Sequence, residues 1–145
     1  MRAKGANGAG RFSVDFEVAN QVDVVLAERG LLAPDKVRRL TISGVVDCGA
    51  TRLVLPEHVV KQLGLPVLKK IKVRYADNST ATRHAVERVD VQLQGRHGVF
   101  TAIVEPKRRT ALIGAIVLED LDFLADRTQQ RLVPRDPRYV VSEVE

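Results

Sequence analysis

Asp47-Cys48-Gly49-Ala50-Thr51 gathers a carboxylate, a thiol and a hydroxyl into five consecutive residues. The surrounding segment, GVVDCGATRLVLP from Gly44 to Pro56, sets this Asp-x-Gly corner between apolar stretches. Asp-x-Gly ordinarily marks a turn, since Asp accepts from nearby backbone N–H groups and Gly permits positive φ. The setting is less ordinary. Val45-Val46 and Leu53-Val54-Leu55 predict buried strands on either side, and Gly49-Ala50 are small enough for a second backbone to approach. Thr51 brings a hydroxyl within local reach of the carboxylate. The thiol offers a second chemistry: Cys48 as nucleophile, with His58, His84 or His97 as base, although no protease signature ties any of them to it.

The elements that must position this corner are mostly short strands. Phe12, Val14, Phe16 and Val18 alternate with polar residues, the period of a half-buried strand. Residues 22–26 are apolar and fit either a strand or a helical turn, and residues 30–35 form a loop around Pro34. A strand over 37–46 leads into the corner. Val59, Val60 and Leu63 share one face of a helix over 56–63, which Gly64 stops. Ile71, Val73 and Tyr75 alternate, and 76–80 supply turn chemistry. Residues 86–93, a turn over 94–98 and a strand over 99–104 follow, then a second helix over 115–121. Such spacing predicts one all-β domain, a barrel or sandwich, with helices confined to those two regions.

Composition bounds the function. The chain has 145 residues, 45% of them hydrophobic and only 4% aromatic, which suits a globular domain with its own core. No apolar run approaches the roughly 20 residues that span a bilayer. The start, MRAKGANGAGR, lacks the apolar stretch of a secretory signal and reads as a flexible arm over 1–10. A single cysteine excludes an intramolecular disulfide and a cysteine metal cluster, and points to a reducing cytoplasmic setting. The net charge of +5 permits a nucleic-acid partner without indicating one, because no nucleic-acid motif accompanies the basic groups. Lys69-Lys70, Lys72, Arg74 and Lys107-Arg108-Arg109 therefore read as solvated faces.

Three motifs together resemble a family. Asp47-Cys48-Gly49-Ala50-Thr51 is similar to the Asp-Thr/Ser-Gly-Ala signature of the retropepsin-like aspartic proteases. VVDCGATRLVLPEHVVKQLGLP resembles the segment of their bacterial members in which a short helix follows the active-site loop. RYADNST resembles their flap hairpin, and ALIGAIVLEDLDFLAD their hydrophobic-hydrophobic-Gly motif with its helix. The resemblance runs from about residue 37 to 134, in the family's order and spacing.

That resemblance implies a closed, barrel-like retropepsin fold with one or two short helices over 11–137, and a tail over 138–145. It implies an aspartic endopeptidase, a peptide hydrolase that needs no metal or other cofactor. Acid proteolysis needs two carboxylates sharing one proton, one acting as base toward water and the other as acid toward the scissile carbonyl. With one Asp-x-Gly per chain, the second Asp47 must come from another copy across a two-fold axis. Cys48, Gly49, Ala50, Thr51 and Gly114 would support the loop, and the corner would be buried as an interface. Tyr75, Ala76, Asp77, Asn78, Ser79 and Thr80 would form the flap over an extended peptide or protein substrate. Two positions depart from the pattern. Cys48 replaces the usual Thr or Ser, whose hydroxyl bridges the two loops; a thiol is a weaker bridge. That loosens the dimer, makes it redox-sensitive, or marks an inactive chain kept as a binding scaffold. Asn78 replaces the flap Gly, a milder change because Asn tolerates left-handed backbone.

Overall fold

The computed structural model describes residues 11–145, so the arm expected over 1–10 lies outside the described residues. Strand β1, Phe12–Asn20, buries Phe12, Phe16 and Val18 on alternate positions, as period-2 patterning requires. It pairs antiparallel with β2, Arg39–Val46, from Phe12↔Val46 to Ala19↔Arg39. β2 continues in parallel to β7, Ala111–Ile113, which neighbours β3, Leu53–Pro56. β3 runs parallel to β6, Arg96–Glu105, and β6 antiparallel to β5, Thr80–Leu93. β5 then returns to β1 through Val18↔Val91, closing a six-stranded barrel in the order β1-β2-β7-β3-β6-β5. The all-β, retropepsin-like architecture is therefore present.

One long strand serves two purposes. β5 pairs with β4, Val67–Arg74, over its first half and with β1 over its second. Between them the β5–β6 register shifts from Val86 to Val89, and Arg88 takes a φ of 61°. Such a bulge bends a strand and increases its twist. It separates the barrel half of β5 from the projecting β4–β5 hairpin.

The fully buried set includes Leu53, Leu55, Leu63, Leu93 and Ile113, drawn from strands all round the barrel and from α2. Each such side chain contributes about 1.5–3 kcal/mol by leaving water. Helix α2, Glu57–Leu63, turns Val59, Val60 and Leu63 inward and ends at Gly64 in left-handed backbone, as its sequence predicts. Helix α3, Ala115–Asp120, also falls where expected.

Three local expectations are corrected. Residues 22–26 belong to a third helix, α1, Gln21–Glu28, so helices are not confined to two regions. Its cause is Asn20, whose side chain accepts from Asp23 N–H at 3.1 Å as an N-cap. The turn expected over 94–98 is only two residues long. Gln94 and Gly95 have φ of 47° and 82°, the left-handed pair of a tight hairpin, and β6 begins at Arg96. Finally, residues after α3 form a further hairpin, β8 Phe123–Asp126 with β9 Arg131–Pro134, which periodicity over four-residue runs does not reveal. Beyond it the chain stays attached: Val141 N–H donates to Asp122 at 3.0 Å, and Arg96 donates to the Tyr139 carbonyl.

Candidate active site

Asp47 follows the last residue of β2 at the point where parallel pairing with β7 ends. Its N–H donates to Ile113 O at 3.1 Å, and its carbonyl accepts from Ala50 N–H at 3.1 Å, which closes the corner. The Gly49 N–H donates to Asp47 Oδ1 at 2.9 Å. That is the Asx-type bond the motif predicts, and it fixes the orientation of the carboxylate. Thr51 does not supply the local partner; among the described residues none of its hydrogen bonds reaches Asp47, and Oδ2 instead faces Arg11 Nη1 at 3.1 Å.

Gly114 locks the corner from below. Ala115 N–H donates to Ala50 O at 2.8 Å, and Ile116 N–H to Thr51 O at 3.0 Å. A Cβ on Gly114 would lie 2.4 Å from Arg52 O and 2.7 Å from Ala50 O. Only glycine allows two backbones this close.

In the single chain the corner is less buried than its flanking strands. Asp47 keeps 20% side-chain exposure, and Cys48, Gly49 and Thr51 are exposed. Val46, Leu53 and Leu55 are buried on either side, as the sequence implies.

A cleft of about 1240 Å³ opens over the corner. All of residues 47–51 line it, together with Ile71 and Val73 of β4 and the hairpin residues Tyr75, Ala76 and Asn78. Asp77, Ser79 and Thr80 do not; Asp77 and Ser79 build the turn, and Thr80 opens β5 opposite Arg74. Asp77 Oδ1 accepts from Ser79 N–H at 2.9 Å and Ser79 Oγ at 2.6 Å, and the hydroxyl first, then the N–H, hold the Asp77 carboxyl below its usual range. Asn78 has φ of 69°, the conformation that Asn tolerates. Tyr75 N–H closes the turn on Ser79 O at 2.9 Å.

Sequence reasoning missed what anchors the hairpin. Glu105 of β6 accepts from Tyr75 Oη at 2.5 Å and from Arg83 Nε at 2.9 Å. Burial first, and Glu105 second, push the Tyr75 phenol above its usual range. Residues so distant in sequence carry no local signal. Arg108, which also lines the cleft, sits in a basic run that reads as a solvated face.

The thiol alternative loses its base. The chain has three histidines and none lines the cleft with Cys48. His97 is engaged by Asp90 at 2.8 Å, and His84 lines a separate, smaller pocket. Cys48 is an exposed free thiol.

A family model described as gag-polyprotein putative aspartyl protease matches residues 36–120. The chain belongs to this aspartyl protease family. Its match spans the Asp47 corner, the β4–β5 hairpin and Gly114, and so covers every motif of the site. Strand β1, which completes the barrel and follows Arg11, lies outside the matched segment. No curated protein matches the chain. The chain has no helix among its described residues long and apolar enough to cross a membrane.

Proposed function

We propose that this aspartyl protease family member is an aspartic endopeptidase that works as a homodimer. The observation that carries the reading is Asp47: one oriented carboxylate per chain, partly exposed in a cleft that the β4–β5 hairpin also lines. Two such corners facing each other across a two-fold axis form a dyad. Like charges that close cannot both ionise cheaply, so the pair holds one proton. The ionised Asp47 takes a proton from water as it attacks the peptide carbonyl, while the protonated one donates to the carbonyl oxygen. Gly49 N–H keeps Oδ1 aligned through both steps. The β4–β5 hairpin covers an extended peptide and offers backbone hydrogen bonds in the manner of strand addition. Cys48, Gly49, Ala50, Thr51 and Gly114 hold the loop, and no metal or other cofactor takes part.

A second reading, a binding scaffold that keeps the fold without cleavage, rests on Cys48 in the hydroxyl position. Digestion of a peptide library at several pH values, beside Asp47→Asn, separates the two. Cleavage that the variant abolishes supports the dyad. A dimeric wild type that cuts nothing leaves the scaffold.

A further inference from the structure

The cleft is unbalanced in charge. Among the described residues lining it, six are cationic (Arg11, Arg52, Lys72, Arg74, Arg108 and Arg127) and two are carboxylates, Asp47 and Glu105. Both carboxylates already have arginine partners: Arg11 for Asp47, and Arg83, at 2.9 Å, for Glu105. Among the described residues, no carboxylate lies within ion-pair distance of Arg52, Lys72, Arg74, Arg108 or Arg127. By contrast, Arg38, Arg39, Arg131 and Arg135, outside the cleft, each have an acidic partner.

Arg108 differs from the other four. Its Nε donates to Thr110 O at 2.8 Å and its Nη2 to Thr110 Oγ1 at 3.2 Å, so one edge of the guanidinium is fixed. Among the described residues, no hydrogen bond engages Nη1. The side chain is half-buried, and burial is the main reason its guanidinium sits below its usual range; Glu105 opposes that shift, Arg11 adds to it by like-charge repulsion, and Asp47 opposes it least. A desolvated, oriented cation without a counter-ion gains most from an incoming carboxylate, which accepts two parallel hydrogen bonds from a guanidinium.

We infer that the substrate is an acidic peptide, and that Arg108 receives a glutamate or aspartate side chain near the scissile bond. The inference rests on the endopeptidase reading and deepens it. Ile71, Val73 and Leu112, interleaved with the cations, take the apolar side chains between the acidic ones. A nucleic acid fits less well. Single strands are held by aromatic stacking, and the aromatic residues lining the cleft are Tyr75, tied to Glu105, and Phe12, buried. Exposed cations such as Lys72 and Arg74 steer the peptide, and that contribution is screened by salt.

The test uses the full chain carrying Asp47→Asn, so that peptides bind without being cut. A fluorescent peptide with glutamates flanking an apolar pair is compared with its glutamine counterpart. The glutamate peptide should bind tenfold or more tightly, the value of a charge-assisted hydrogen bond of about 1.5 kcal/mol. Arg108→Gln should remove most of that difference. Arg108→Lys, which keeps the charge but loses the fork, should retain part of it and carries the comparison if the glutamine variant does not fold. Arg109→Gln changes net charge equally outside the cleft and should keep the full preference. Equal binding of both peptides overturns the inference. So does preference only for a free C-terminal carboxylate over its amide, or tight binding of a single-stranded oligonucleotide without glutamate preference. The two readings fail separately. Wild type that cuts both peptides equally keeps the protease and loses the acidic preference; wild type that cuts neither, with the preference intact, does the reverse.

Discussion

Arg11 Nη1 stands 3.1 Å from Asp47 Oδ2 because of strand register: Phe12 pairs with Val46, so the residues just beyond that pair meet. Arg11 thus occupies the carboxylate oxygen that a second Asp47 and water would need in the proposed dimer. Arg11→Gln should raise kcat/KM by up to about fivefold, since a partly exposed ion pair is worth up to ~1 kcal/mol. Steady-state cleavage of one peptide by both proteins measures it. Loss of activity as deep as that of Asp47→Asn would instead make Arg11 a part of the working site.

Cys48→Thr supplies the hydroxyl that would bridge the two loops in the proposed dimer. Tighter dimerisation by about 1 kcal/mol, the net value of one hydrogen bond, is expected in sedimentation equilibrium, with activity held or raised. A dead Cys48→Thr beside an active Asp47→Asn would overturn the aspartic mechanism. No histidine lines the cleft to sustain such an outcome.

Gly114→Ala should be among the most damaging small substitutions in the chain. The new methyl meets backbone oxygens at 2.4 and 2.7 Å, and neither can swing aside as a side-chain tip would. Destabilisation of about 1–3 kcal/mol is expected from overpacking of this kind, read as a lower denaturant midpoint. Asp47→Asn, which preserves shape, should leave the midpoint nearly unchanged.

Asp23 accepts from Arg38 N, Nε and Nη2 at 3.0, 2.8 and 3.0 Å, fastening α1 to the start of β2. Arg38's side-chain bonds, followed by its backbone N–H and charge, hold the Asp23 carboxyl below its ordinary 3.8, against the opposing effect of burial. A carboxylate depressed in the folded state stabilises the fold at pH values above its unfolded pKa. That contribution fades as pH falls through the lower folded value. Asp23→Asn should therefore cost about 2 kcal/mol at neutral pH and lose less stability than wild type on acidification below pH 4. Denaturant titrations at pH 7 and in that acid range give both numbers.

The sequence by itself determined what depends on neighbours along the chain. The Asp47–Gly49 turn, left-handed Asn78, the Gly64 stop and the alternation of β1 each follow from a side chain acting within a few residues. Register and approach across the fold were decided elsewhere. Arg11 reaches Asp47 only because β1 pairs with β2, and Glu105 ties down Tyr75 only because β5 lies beside β6. Helix α1 was ambiguous because five apolar-rich residues fit either period until Asn20 capped them. The same limit hid the charge of the cleft. Arg108 looks like any lysine or arginine in a basic run; barrel closure half-buries it, with Thr110 fixing one edge and, among the described residues, no carboxylate paired with the other.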